Sequence, residues 1–128
     1  MNENQKKEIY FEYQLLTQHV QQMQQTLEQI SQEMLALRIL KNNLIELKGN
    51  KGETFIPLGH GVFVKGNLND SYNVFMNVGS DICIEKTNEE AQKIIETQVN
   101  EVVKVIENLD EEIGKSAEKL QELEEKLR

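Results

Sequence analysis

The chain has 128 residues, 14 Lys and Arg against 22 Asp and Glu, and a net charge of −8. That length suits one domain, and so acidic a surface argues against nucleic acid, whose phosphates are gripped through clustered Lys and Arg. There is no Trp and aromatics are 5% of residues, so the regular spacing of apolar residues among Gln, Glu, Lys and Leu points to a coiled coil rather than a globule or a disordered chain.

Charge is unevenly placed. Residues 1–48 carry 5 basic against 6 acidic side chains, residues 49–87 carry 3 against 4, and residues 88–128 carry 6 against 12. The last segment alone therefore supplies −6 of the total. No apolar run is long enough to span a membrane, and the opening MNENQKKE lacks the apolar stretch of a secretion signal. A single Cys forms no internal disulfide, which suits a reducing cytoplasm.

The spacing predicts a first helix over 5–48. Ile9, Tyr13, Leu16, Val20, Met23, Leu27, Ile30, Met34 and Leu37 follow alternating steps of four and three, an unbroken heptad seam. Lys41 falls on the next seam position while Leu40, Leu44 and Leu47 carry the stripe onward, which predicts a local phase shift. Six Gln between 18 and 29 lie off the seam, on a solvated face. Gly49 supplies a C-cap.

Residues 53–86 change character. Four short runs, Glu53–Leu58, Val62–Leu68, Tyr72–Val78 and Ile82–Lys86, are separated by turns at Gly59-His60-Gly61, Asn69-Asp70-Ser71 and Gly79-Ser80-Asp81. Pro57 confines the first run to an edge or a strand end. Val62 and Val64 alternate onto one face, as do Val74, Met76 and Val78, and Ile82 and Ile84; the opposite face, with Phe63 and Phe75, is half apolar too. Two hairpins result. Isolated hairpins are marginal in water and leave unpaired edges, so this block reads as an assembly device that closes with strands of other copies or subunits. Its contact residues are Ile56, Leu58, Val62, Val64, Val74, Met76, Val78, Ile82 and Ile84.

A second helix over 87–128 opens on the capping box Thr87…Glu90. Its seam is Ile95, Val99, Val102, Ile106, Leu109, Ile113, Ser116, Leu120, Leu123 and Leu127. Thirty-five residues separate Leu44 from Ile9, and thirty-five separate Ala91 from Lys126. Antiparallel folding then sets Ile9 and Tyr13 beside Leu123 and Leu127. The fold class is α+β, mostly α: a long antiparallel two-helix coiled coil with two β-hairpins at its hinge end. Tyr10, Phe11 and Leu15 do not fit the seam. They are either scattered surface apolars in a frayed end or an exposed patch kept for binding.

Chemistry has little to work with. His19, His60 and Cys83 lack metal-ligand spacing, Gly59-x-Gly61 lacks the context of a dinucleotide loop, and the Glu-rich stretch 118–125 reads as a solvated face. An enzyme, a cofactor and a metal are not expected.

The block IPLGHGVFVKGNL (56–68) followed by VFMNVGSDICIEKT (74–87) resembles the prefoldin family. The matching positions are Pro57-Leu58-Gly59, Lys65-Gly66-Asn67-Leu68, Val78-Gly79 and Glu85-Lys86-Thr87, and the flanking arms extend the likeness over the whole chain. Four strands make it similar to the α-class subunit. Ser80-Asp81-Ile82-Cys83 departs from the pattern, in which a small residue, Gly and aromatics are common. The resemblance implies two α-type and four β-type subunits joined through inter-subunit β-barrels, with the coiled coils hanging like tentacles. It further implies that the tips hold non-native polypeptides and pass them, without ATP, to a group II chaperonin. Carried onto this sequence, the tip residues are Ile9, Tyr10, Phe11, Tyr13, Leu15, Leu123 and Leu127. The rival reading is a structural coiled-coil adaptor that oligomerises through the same hairpins and binds a folded partner.

Overall fold

A computed structural model describes residues 2–70 and 72–128; Ser71 of the expected 69–71 turn lies outside them. The element order is α1 (Glu3–Leu47), β1 (Gly52–Gly59), β2 (Val62–Leu68), β3 (Asn73–Asn77), β4 (Cys83–Thr87) and α2 (Asn88–Leu127). The chain forms two compact units, one of residues up to Leu35 with Asn100–Arg128, the other of Ala36–Val99.

Helix α1 starts earlier than the seam predicts because polar residues ahead of it form their own capping box. Asn2 Oδ1 accepts a hydrogen bond from Gln5 N at 2.8 Å, and Gln5 Oε1 accepts one from Asn2 N at 3.1 Å. Its far end stops where expected. Gly49 takes a left-handed φ of 81°, Asn50 N donates to Leu47 O at 3.0 Å, and Asn50 Nδ2 donates to Glu46 O at 2.7 Å. Carbonyls with no helical partner are thereby satisfied.

In the first unit every seam residue from Ile9 to Met34 is buried or half-buried, as is every one from Val102 to Leu127. Met23 and Leu123 are the most enclosed. Lys119 Nζ lies 3.3 Å from Glu12 Oε1, and His19 Nε2 lies 3.6 Å from Glu112 Oε1. Seven residues separate Glu12 from His19, and seven separate Glu112 from Lys119, so the flanking pairs mark an antiparallel heptad register.

In the second unit Leu44, Ala91 and Ile95 form a small core, with Leu37 and Val99 packed against it. The expected phase shift does not occur. Leu40 is 43% exposed, and the seam runs through half-buried Lys41, whose Nζ lies 3.6 Å from Glu96 Oε2. A lysine is tolerated there because its stem covers apolar surface while its amine reaches out.

The hairpins form two separate two-stranded sheets, β1–β2 and β3–β4. In the first, Ile56 pairs with Val64 and Pro57 with Phe63, and the register slips between Pro57 and Gly59. The connection is His60–Gly61, both at positive φ, as a type I′ turn requires. In the second, Phe75 pairs with Glu85 and Met76 with Ile84. Its turn is centred on Ser80 and Asp81, at φ 50° and 60°, and is closed by Ile82 N donating to Gly79 O at 2.9 Å. Neither central residue is glycine, so the turn carries a left-handed cost of about 1 kcal/mol per residue, less at Asp.

Strand β4 runs directly into α2. Thr87 Oγ1 accepts from Glu90 N at 3.1 Å and donates to Glu90 Oε1 at 3.0 Å, the capping pair expected from the sequence. The next residue, Asn88, is 1% exposed. Its backbone N donates to Tyr72 O at 2.6 Å, its Nδ2 donates to Leu44 O at 2.9 Å, and its Oδ1 accepts from Gln92 Nε2 at 2.6 Å. One side chain thus joins the end of α1 to the start of α2, while its backbone holds the chain entering β3.

Asn88→Ala strands the buried Leu44 carbonyl and the half-buried Gln92 amide and costs about 1–3 kcal/mol, read as a lower urea midpoint at unchanged slope. An unchanged midpoint would remove the joint from any structural role. Glu89, ion-paired to Lys48, is held below its ordinary value of 4.5 by the Lys48 hydrogen bond and charge, with Lys93 adding to it. A lowered folded value means the contribution is complete above the ordinary value and is lost as pH falls through the lowered one. Carboxyl carbon NMR is expected to give a Glu89 midpoint below 4.5, and Lys48→Met is expected to bring it back up.

Candidate functional site

Nothing among the described residues groups three or more His, Cys, Asp or Glu as a metal would need. No helix among them is long and apolar enough to cross a membrane. The features that stand out are apolar and open, and each compact unit carries one.

In the first unit Tyr10, Phe11 and Leu15 are 55%, 62% and 52% exposed. Phe11 and Leu15, four apart, share one face of α1, and Tyr10 lies on the adjoining face. The other four expected contact residues are placed differently: Ile9, Tyr13 and Leu127 are half-buried and Leu123 is 4% exposed. These four are seam members, and the Glu12–Lys119 pair fixes the register in which they are covered. Beside the open residues runs a groove of about 450 Å³, lined by Tyr10, Tyr13, Gln14, Thr17, Gln18 and Gln21.

In the second unit Ile56, Leu58, Val62, Val64, Val78, Ile82 and Ile84 are all exposed, Leu58 most of all. Val74 and Met76 are not: they are half-buried against the Leu44–Ala91–Ile95 core. Of the second hairpin's expected contact residues, Val74 and Met76 therefore find cover in their own chain, while Val78, Ile82 and Ile84 stay open. The difference arises because β4 feeds straight into α2, which holds the hairpin face against the helices. The first hairpin has no such anchor and is exposed along the whole of β1.

Four open aromatic residues of the hairpin block lie outside the expected contact set. Tyr72, Phe55, Phe63 and Phe75 are exposed, Phe75 to 74%. The period-2 pattern placed Phe63 and Phe75 on the opposite strand faces, so their openness was legible as an apolar second face. Gly66 matters to the first hairpin because a methyl there would overlap Ile56 Cδ1; its absence lets Ile56 lie across the strand. Two grooves flank Leu40 and Leu44. One of about 460 Å³ is also bounded by β3 residues Val74 to Asn77, the other of about 590 Å³ by Thr54, Phe55 and Pro57 of β1. Leu40, off the seam, is the ridge they share.

The profile of the family described as prefoldin subunit matches residues 16–128. A prefoldin subunit alpha of Pyrococcus horikoshii is 30% identical over 103 residues, covering 78% of this chain and 70% of the relative. A prefoldin subunit alpha 1 of Thermococcus kodakarensis is 30% identical over 105 residues, covering 79% and 72%. A filamentous PFD chain of Methanocaldococcus jannaschii, solved by cryo-EM, superposes with a TM-score of 0.76 at 21% identity over 87% of this chain and 93% of that one.

Proposed function

The chain belongs to the prefoldin subunit family, whose members are co-chaperone subunits, and on that premise we propose that it captures unfolded polypeptides at the free ends of its helices, prevents their aggregation and hands them to a group II chaperonin without ATP. The observation that carries this reading is the trio Tyr10, Phe11 and Leu15, each more than half open and none needed by the seam. A coil that served only as a spacer gains nothing from exposing them. Leu123, Leu127, Ile9 and Tyr13, covered in the seam, join the grip when the helix ends open to a client.

One such patch binds weakly, since a few apolar side chains cover at most a few hundred Å². Several patches on one platform make later contacts intramolecular and raise avidity by about 10²–10⁴. Unfolded chains display many scattered apolar segments and folded proteins do not, so the selectivity follows from multiplicity. Binding the unfolded form withdraws it from aggregation by mass action. The acidic second helix supports solubility of the empty complex.

The platform is assembled by the hairpins. We assign the seven open hairpin residues, together with Phe55, Phe63, Phe75 and Tyr72, to joining β-class subunits through shared barrels, two α-type with four β-type, in the cytoplasm. Val74 and Met76 contribute by fixing the second hairpin to its helices. The adaptor reading survives only if one folded partner, rather than many unfolded ones, is bound.

Replacing Tyr10, Phe11 and Leu15 by Ser leaves helix content and complex mass unchanged and reduces protection of a denatured client several-fold in light scattering; full protection would refute the assignment. The pair Leu58→Lys and Val62→Lys, both on open positions, is expected to abolish association with a β-class partner in native mass spectrometry without loss of helical circular dichroism. A complex of unaltered mass would sink the hairpin interface.

A further inference from the structure

Between Tyr13 and Leu27 helix α1 carries no Asp, Glu, Lys or Arg, although 28% of the chain is charged and about four such residues would be expected in fifteen. The antiparallel register sets this stretch against α2 residues 104–119, which carry Lys104, Glu107, Asp110, Glu111, Glu112, Lys115, Glu118 and Lys119. Over this stretch α2 holds the charged side chains and α1 holds, of titratable nitrogen groups, only His19. The uncharged helix presents Gln14, Gln18 and Gln21, all exposed, along the groove that begins at Tyr10 and Tyr13.

From this geometry we infer that the glutamine face is a track for an extended segment of unfolded polypeptide, held through its backbone amides. The inference rests on the client-capture reading and extends it from side chains to main chain. Each glutamine amide offers an acceptor oxygen and a donor NH₂, the complement of a peptide N–H and C=O. Four residues of helix advance about 6 Å, and two residues of extended chain advance about 6.6 Å. Gln14 and Gln18 therefore meet successive outward-facing peptide groups on one edge of a strand. Neutrality suits such an occupant, because a charged track would reject segments of like charge. The open aromatic residues anchor the segment, and the track lengthens the hold without selecting sequence.

The test uses the assembled protein and two labelled peptides of identical sequence, uncharged and rich in Val and Thr, one with every backbone amide N-methylated so that neither edge donates. Fluorescence anisotropy is expected to show about tenfold tighter binding of the unmethylated peptide. Gln14→Ala with Gln18→Ala and Gln21→Ala abolishes that preference; alanine is the better helix former at exposed positions, so unfolding cannot be the cause. Equal binding of both peptides by the unaltered protein overturns the inference, as does a preference that survives the triple alanine change. The Tyr10, Phe11 and Leu15 serine variant separates the two readings: it weakens both peptides while keeping their ratio if the track is real. Should that variant bind as the unaltered protein does while the alanine variant fails, the track stands and the aromatic grip falls.

Discussion

A buried carboxamide governs the way this chain turns its corners. Asn88 meets the last turns of α1 through Leu44 O, the first turn of α2 through Gln92, and the entry to β3 through Tyr72 O. Directional bonds of this kind cost dearly if left unmade in an enclosed site. The surrounding core is only Leu44, Ala91 and Ile95 with a few half-buried neighbours, too little apolar contact to fix angles by packing. Hydrogen-bond geometry does what a large core does elsewhere, and the second hairpin inherits its position from it.

The two hairpins consequently differ in kind. The second is docked through Val74 and Met76 and shows its Phe75 side outward. The first has apolar residues on both faces, a bulge beside Leu58, and a glycine-flanked connection to α1. A subunit built this way brings one fixed strand pair and one with nothing beneath it. The first hairpin accordingly leaves more apolar surface open than the second.

Much of this was legible because long seams repeat their own evidence. Sixteen seam positions from Ile9 to Met34 and Val102 to Leu127, Ser116 included, are all removed from solvent to some degree. The C-cap at Gly49 and the capping box at Thr87 were equally plain, since each depends on residues a few positions apart. Leu40 misled because a leucine at a three-residue step looks like seam until the neighbouring β-strands are known to make grooves on both its sides. Asn88 was invisible for a related reason: an asparagine opening a helix reads as a surface residue, and its burial depends on a carbonyl far away in the chain. The docking of Val74 and Met76 likewise required knowing how β4 enters α2. The open trio at residues 10, 11 and 15 was readable by its misfit, whereas the covering of Leu123 was not, because its exposure depends on where the opposing helix ends.

The ladder of Glu12 with Lys119 and His19 with Glu112 has a bearing on how such arms change length over evolutionary time. Each rung advances by one heptad on both helices at once. Adding residues to one helix alone would turn its apolar stripe away from its neighbour and shear every rung beyond the insertion. Growth or shrinkage is tolerated only as matched blocks of seven in both strands of the pair, so reach becomes a stepped variable, adjustable in increments of about 10 Å.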